Sequence, residues 1–363
     1  MVDMVKHSIS TIGSHSALEV SEGAKQEGFN TIVVCQKGRE KTYEYYKKRK
    51  RGKEEIGIID EIVLVDKFVD IVNKKNQEYL QKKRSIFIPN RSFAVYVGYE
   101  EIEKKFEVPI FGNKYLLRAE ERDAPNNQYD LMKKSGVNYP KQISSPEKID
   151  NPVIVKVNEK HRKYERAFFI ATSYEEYVKK SERLVKEDKI SEDDLKKAKI
   201  EEFVVGAPFN FNFFYSKVHE ELELLGVDKR RQTNLDGYLH LPADIQLELL
   251  KTREPRNIEV GHVACTVRES LLQGVYEQAE RLLKTVEKEY KPGIIGPFAL
   301  QGAIEERNNK EQFVIFDISF RIPGSPGTRF TPYSSYIFRD QMSFGRRIAK
   351  EIKEAKNIEL VTT

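Results

Sequence analysis

Cysteine is scarce: Cys35 and Cys265 are the only two in 363 residues, and they stand far apart in sequence. That usage fits a reducing cytoplasm and gives no zinc-type ligand spacing, nor do His219, His240 and His262 supply one. No apolar run approaches ~18 residues, so no membrane span is expected. The first residues lack a basic segment followed by an apolar one, so no signal peptide is expected either. Charge of one sign is also in short supply as an excess. Lys and Arg total 62 against 57 Asp and Glu, a net of +5 on a chain that is 33% charged. So small an excess does not call for nucleic acid. The most consequential absence is local: from Val157 to Ala167 there is no glycine. The preceding run, Pro152 to Val155, predicts a strand that delivers Lys156 to its edge. A lysine so placed suits nucleotide phosphates, but a phosphate-covering loop normally uses glycines to bring backbone N–H groups close.

What is present organises into more than one unit, since single cores stop growing near ~250–300 residues. Ser8 to Ile12 predicts a strand, Gly13-Ser14-His15-Ser16 a corner, Ala17 to Glu27 a helix stopped by Gly28, and Thr31 to Cys35 the next strand. Ser16 and Glu19 have capping-box spacing at the helix start. A second corner follows the strand Ser85 to Ile88, where Asn90-Arg91-Ser92 leads into the helical run Phe93 to Glu103. Two such corners on one sheet edge predict a doubly wound α/β domain with its ligand face at the strand carboxyl ends. Between them, Lys47 to Arg51 reads as a solvated loop or helix end, with a nucleic-acid patch as the alternative. Turn signals at Ala124 to Gln128 open a second unit. Its segment Tyr174 to Lys199 is almost wholly charged, as expected of exposed helices on a small lobe. From Ile200 onward strands return, and a long amphipathic helix (Leu271 to Tyr290) and a final helix (Phe344 to Ala355) accompany them. The expected division is 1–123 for an N-terminal Rossmann-like domain, 124–206 for a lid and 207–363 for an α/β body.

Gln301 and Asp317 each interrupt an apolar β pattern. A carboxylate there must be paired, protonated or bound to a cation. Magnesium accepts one carboxylate and one amide oxygen completed by phosphates and water, whereas pairing of Asp317 with Arg321 is the alternative. His15, Ser16 and Ser92 place donors at helix N-termini, where phosphate is favoured; for Ser16 alone, simple capping explains it as well. Arg230 and Asn234 can hold a planar or anionic group, and surface ion pairing is the competing role for Arg230.

The segments Gly13-Ser-His-Ser-Ala17, Glu22-Gly-Ala-Lys-Gln-Glu-Gly-Phe29, Val108-Pro-Ile-Phe-Gly-Asn-Lys114, Ile200-Glu-Glu-Phe-Val-Val-Gly206, Phe214-Tyr-Ser216, Val267-Arg-Glu-Ser-Leu-Leu272, Gly296-Pro-Phe298 and Gly345-Arg-Arg-Ile-Ala349 resemble one family along nearly the whole chain. It is the archaeal formate-dependent 5-formaminoimidazole-4-carboxamide ribonucleotide (FAICAR) synthetase of purine biosynthesis, an ATP-grasp ligase. The resemblance implies an ATP-grasp fold with an N-terminal doubly wound domain and an inserted α+β lid. It further implies ATP and Mg2+ as cofactors, 5-aminoimidazole-4-carboxamide ribonucleotide (AICAR) and formate as substrates, and a closed homo-oligomer. Formate would attack the γ-phosphorus, and the ribonucleotide amine would attack the resulting formyl phosphate. By position, His15 and Ser92 would bind the ribonucleotide, joined by Asn234 and, on the residue reading above, Ser16 and Arg230. Lys156 would meet ATP, Glu202 would stand at the hinge beside the nucleoside, and Gln301 and Asp317 would hold magnesium. Lys156 and Arg321 form the expected catalytic pair.

The departures from the family pattern fall on the ATP side. The loop after Lys156 lacks glycine, Asp317 replaces a glutamate, Asn212 replaces a histidine, Asn90-Arg91 replaces His-Gly, and the turn Ile322-Pro-Gly-Ser-Pro-Gly-Thr328 is altered. Two lost backbone bonds to phosphate, at ~1.5–3 kcal/mol each, would weaken ATP or transition-state binding by ~10²–10⁴-fold. His161, Arg162, Lys163 and Arg166 supply positive charge in that loop instead. Alongside the ligase, the sequence therefore admits a diverged paralogue that binds the ribonucleotide without turnover.

Overall fold

The computed structural model describes residues 7–122, 124–157, 168–232, 235–253, 259–307 and 309–363. The loop carrying His161, Arg162, Lys163 and Arg166, and the expected substrate residue Asn234, lie outside the described residues.

In the first domain β1 (Ser8–Ile12), α1 (Ala17–Gln26), β2 (Asn30–Gln36), α2 (Lys41–Glu44), the hairpin β3 (Arg49–Arg51) and β4 (Glu54–Ile56), β5 (Glu61–Val65), α3 (Lys74–Lys82), β6 (Ser85–Phe87), α4 (Arg91–Val97) and α5 (Tyr99–Lys105) follow in order. The parallel sheet runs β5-β2-β1-β6. Strands β1, β2 and β6 are buried along almost their whole length, as expected of a parallel sheet covered on both faces. Two expectations change here. The helix expected from Phe93 to Glu103 is two, α4 and α5, because Gly98 adopts φ 89°, a conformation that breaks a right-handed helix. The basic run Lys47 to Arg51 is partly a strand, not a loop or helix end. The facing strand answers its charge, with Lys48 2.8 Å from Glu55 and Arg51 3.3 Å from Glu54.

The second unit begins with α6 (Gln128–Ser135), followed by β7 (Gln142–Ile143), β8 (Val153–Lys156), β9 (Phe168–Ala171), α7 (Tyr174–Lys186), α8 (Glu192–Lys196) and β10 (Lys199–Glu202). The strands form an antiparallel sheet, β7-β10-β8-β9, over its own small core of Val153, Val155, Phe169, Tyr177 and Ile200. Helix α6, inside the range expected for the lid, buries Tyr129, Leu131 and Met132 in the core of the next unit.

That body comprises β11 (Ala207–Ser216), β12 (Glu221–Gln232), α9 (Leu235–Leu239), α10 (Ala243–Leu250), β13 (Glu259–Ala264), α11 (Glu269–Glu289), β14 (Gly296–Arg307), β15 (Lys310–Ser319), α12 (Tyr333–Phe338) and α13 (Phe344–Glu354). Its antiparallel sheet runs β13-β12-β11-β14-β15. One face packs Phe211, Phe213, Val227, Leu300 and Ile318 against α11 and α6. Behind the other face, α13 docks on α1 of the first domain. A Cβ on Gly23 would come within 2.0 Å of the Arg346 backbone N, and one on Gly345 within 2.0 Å of Glu19 O. Only glycine at both positions allows so close a crossing, and that contact fixes the first domain relative to the body. No described helix is long and apolar enough to cross a membrane.

Candidate active site

The two strand-to-helix corners are neighbours because β1 and β6 pair directly, Ser8 with Ser85 and Ser10 with Phe87. Side chains then tie them. Ser14 Oγ lies 2.5 Å from Ser92 Oγ, and Asn90 Nδ2 donates to Ile12 O at 3.0 Å. Asn90 also caps α4, its Oδ1 accepting from Phe93 N at 3.1 Å, so the residue standing in a His-Gly position secures the second corner. Ser92 is buried, whereas His15 is reachable from solvent at the mouth of the cleft. Burial lowers the His15 pKa, Arg91 and Arg321 push the same way, and Glu259 opposes them. The imidazole therefore faces three arginine- or carboxylate-bearing elements of the body and the second corner.

The expected capping box at Ser16 does not form. Ser16 has φ 67° and its side chain makes no cap bond; Oγ instead donates to Pro323 O at 2.6 Å. Glu19 is drawn inward, where Oε1 accepts from Phe344 N at 3.1 Å, and burial pushes its pKa up to about 7. Tertiary contacts with the 322–328 turn and with α13 have replaced the local cap. The same turn brings Gly324 against His15, where an added Cβ would lie 3.0 Å from Nδ1.

Across the cleft, strand register builds a floor. Asn210 sits opposite Asp228 on one side and Gln301 on the other, and Gln301 sits opposite Asp317. Directly opposed residues share a face, so Asp228, Asn210, Gln301 and Asp317 form one polar row across four strands. Their chain neighbours Val227, Phe211, Leu300 and Ile318 point into the α11 core. Asp228 is fully buried and accepts from Asn210 Nδ2 at 2.9 Å and Asn212 Nδ2 at 2.6 Å. His262 lies with Nδ1 2.5 Å from Asp228 and Nε2 2.9 Å from Glu259. Burial disfavours its charge, yet the bonds to the two carboxylates prevail and hold its pKa at about 9. Burial likewise opposes ionisation of Glu259, but His262 and Arg230 bring it down to about 2. Arg230 Nε is 2.9 Å from Glu259 Oε2, and Arg230 Nη2 donates to Gln301 Oε1. Gln301 Nε2 in turn donates to Ser319 Oγ at 2.9 Å.

The lid contributes Lys156. Alternation along β8 buries Val153 and Val155 in the lid core and turns Lys156 to the opposite face. Its ammonium pairs with Glu201, and lies 3.2 Å from Phe316 O on β15 and 3.3 Å from Tyr129 Oη. Burial lowers the lysine pKa against the pull of Glu201, and burial raises Glu201 against the pull of Lys156. Lys156 is thus held over the body strand that carries Asp317. Glu202 is bound elsewhere, accepting from Arg307 Nη2 at 2.9 Å and from Lys141 N at 3.2 Å. Arg321 pairs with Glu120 of the 117–120 turn at 3.0 Å. Glu120 also accepts from Phe320 N at 2.8 Å, and Gln128 Oε1 from Ile318 N at 2.7 Å. Those two side chains cap the free edge of β15 beside the floor.

The structure thus brings His15, Ser92, Arg230, Gln301, Asp317, Arg321 and Lys156 to one cleft between the first domain, the lid and the body. It adds residues that the sequence reading passed over: Asp228, His262, Glu259, Asn210, Glu120 and Glu201. A signal for some was present, since Asn210 and Asn212 alternate with Phe209, Phe211 and Phe213. Among the described residues no group of three or more His, Cys, Asp or Glu side chains is arranged to hold a metal ion. The implied Mg2+ needs free oxygen lone pairs. The single oxygen of Gln301 faces a guanidinium, so the residues do not fit a cation shared between Gln301 and Asp317.

Comparison with known proteins identifies the family. A domain of unknown function, DUF1297, matches residues 176–363, and a protein of unknown function, DUF1246, matches residues 9–143. The 5-formaminoimidazole-4-carboxamide-1-(beta)-D-ribofuranosyl 5'-monophosphate synthetase of Methanopyrus kandleri is 41% identical over 98% of this chain and 94% of its own length. The chain belongs to the FAICAR synthetase family. The Methanocaldococcus jannaschii member of that family is 38% identical over 97% of this chain and 93% of its own. Among solved structures, the IMP biosynthesis protein PurP from Thermococcus kodakaraensis superposes with a TM-score of 0.71 at 28% identity, covering 98% of this chain and 100% of that one. An ADP complex of N5-carboxyaminoimidazole ribonucleotide synthetase shares the fold, with a TM-score of 0.61 at 13% identity over 95% of this chain and 76% of the other. The FAICAR synthetase family member described here is accordingly an ATP-dependent ligase of ATP-grasp architecture.

Proposed function

We propose that this chain joins formate to the amine of AICAR with cleavage of ATP to ADP and phosphate. The observation that carries the reading is Lys156 of the lid seated on β15 beside Asp317, opposite corners whose N–H groups and hydroxyls suit a ribonucleotide phosphate. A formate oxygen attacks the γ-phosphorus as the bond to the β-phosphate oxygen breaks, releasing ADP and leaving formyl phosphate. The AICAR amine nitrogen then attacks the formyl carbon, phosphate departs with the electron pair of the C–O bond, and the nitrogen gives up one proton. Lys156 offsets charge on the transferring phosphoryl group. His15 and Ser92 anchor the ribonucleotide, and Arg230 and Arg321 face the anionic intermediate; the buried Nε–H of Arg321 has no hydrogen-bond acceptor in the protein. Mg2+ bound with the nucleotide would be held by Asp317 and would neutralise charge on the phosphates. The site lies in a soluble, cytoplasmic enzyme that works as a homo-oligomer. A second reading, ribonucleotide binding without turnover, draws on the engagement of Lys156 by Glu201 and of Gln301 by Arg230. Incubation of pure protein with ATP, Mg2+, formate and AICAR separates the two: ADP and the formamido ribonucleotide should accumulate together. AICAR binding without either product, at enzyme concentrations equal to substrate, would leave only the second reading.

A further inference from the structure

Gln301 stands on the floor in register with Asp317, yet every hydrogen-bonding atom of its side chain is in use within the protein. Its oxygen accepts from Arg230 Nη2 and its nitrogen donates to Ser319 Oγ at 2.9 Å. Arg230 is itself fixed. Glu259 Oε2 lies 2.9 Å from Nε, and the other Glu259 oxygen is 2.9 Å from His262 Nε2, whose Nδ1 reaches the buried Asp228. Three residues spaced along two neighbouring strands, β12 and β13, thus act as a rail that aims one guanidinium at the Gln301 amide. An amide oxygen next to a fixed positive charge is a poor ligand for a divalent ion, which would have to approach against Coulomb repulsion and displace a charge-assisted bond. The guanidinium cannot give up its proton to make room.

We infer that Arg230 is the resident cation of this floor, occupying the amide of Gln301 in place of a metal ion, and that a nucleotide-bound divalent ion is held by Asp317 with no contribution from Gln301. Arg230 then presents its remaining N–H groups to an anionic oxygen of the nucleotide or of the acyl phosphate. Asp228, His262 and Glu259 are positioning residues that act through Arg230. The inference rests on nucleotide binding as read above.

The test is Mn2+ binding, followed by electron paramagnetic resonance in the presence of a non-hydrolysable ATP analogue, which reads the metal independently of turnover. Asp317→Asn is expected to weaken Mn2+ affinity by ~10-fold or more, while Gln301→Ala, and Gln301→Met as the variant that keeps side-chain volume, leave it within ~2-fold of the parent. Combining Arg230→Met with Gln301→Glu is expected to add a second Mn2+ per chain. Equal loss in Asp317→Asn and in both Gln301 variants would overturn the inference while leaving the nucleotide site intact. Absence of analogue-dependent Mn2+ binding in the parent protein would overturn the ATP reading together with it.

Discussion

Strand β12 carries a buried ionic cluster at each end, and the two are built to different rules. Near its start, Glu223 takes Arg347 in a bidentate pair at 2.7 and 2.8 Å. Arg347 also reaches Glu351 at 2.9 Å, and Glu351 accepts from Ser216 Oγ at 2.8 Å and Val218 N at 2.9 Å. The guanidinium lies over the Phe214 ring at 4.4 Å, so its charge and flat face are matched inside the protein, with Nη1 alone lacking a hydrogen-bond partner. Near its other end, Asp228, His262, Glu259 and Arg230 make a chain that ends at the cleft, with Arg230 on the Gln301 amide. A cluster that closes on itself locks α13 to the sheet. A cluster that ends on the polar floor of a cleft is available to a ligand, and its place in the fold is the mark of that difference.

Removing the central arginine from each cluster tests the contrast. Arg347→Ala leaves Glu223 and Glu351 buried without their counter-charge, which should cost ~3–5 kcal/mol of stability. Denaturant unfolding would read this directly, and the ligase rate per folded molecule should stay near that of the parent. Arg230→Met should do the reverse, lowering kcat/KM by ~10²–10³-fold, the range for loss of a preorganised charge at a reacting anion, with an unfolding midpoint close to the parent. Equal stability losses in the two variants would show that the open cluster is structural as well.

The corners could be read from sequence far more readily than the open cluster, for a physical reason. Corners are local: strand, turn and helix lie within about a dozen residues, so Gly13 to Ala17 and Asn90 to Ser92 announce themselves by residue type. The floor is assembled by register between strands far apart in sequence, Asn210 to Gln301 to Asp317, and no period in the chain records which polar residue will face which. His262 was dismissed as a zinc ligand because it has no partner at ligand spacing, yet its partners are carboxylates, one of them on the adjacent strand. Ser16 shows the opposite failure. Its spacing to Glu19 satisfies a local rule, and contacts to Pro323 and Phe344, more than three hundred residues away, override it.

The open cluster should also reveal itself by pH. His262 has Asp228 and Glu259 on its two nitrogens, with Arg230 and His15 as the nearby positive or titrating groups. Its folded pKa, about 9, lies above the unfolded value near 6.5. The folded state therefore binds the extra proton between those values. The stabilisation is fully present below about pH 6.5 and is lost as pH rises through about 9, up to ~3 kcal/mol in total. Urea unfolding from pH 6 to 9.5 should show that decline, and His262→Gln should flatten it. A decline of equal size in the variant would assign it to other groups.

Between the closed and open extremes stands a third buried pair, Lys156 with Glu201, and it gives the finest test of what the cleft is for. Glu201 Oε2 has no hydrogen-bond partner, and Lys156, ahead of the Tyr129 hydroxyl, is the main group that favours the ionised carboxylate. Burial disfavours both charges, and each persists because of the other. A nucleotide phosphate entering beneath the lid must share Lys156 with Glu201, and the two anions repel. Glu201→Gln removes that competition at nearly constant volume. Burial then lowers the lysine pKa without Glu201 to oppose it and an arriving phosphate raises it again, so binding should take up a proton. The expected result is a Kd for a non-hydrolysable ATP analogue lowered by ~10-fold, about 1.4 kcal/mol, with the gain shrinking as pH rises. Calorimetry in two buffers of different ionisation enthalpy would report both the affinity and the proton. Weaker binding instead would mean that Glu201 aims the lysine and that the pair belongs with the closed cluster of Arg347.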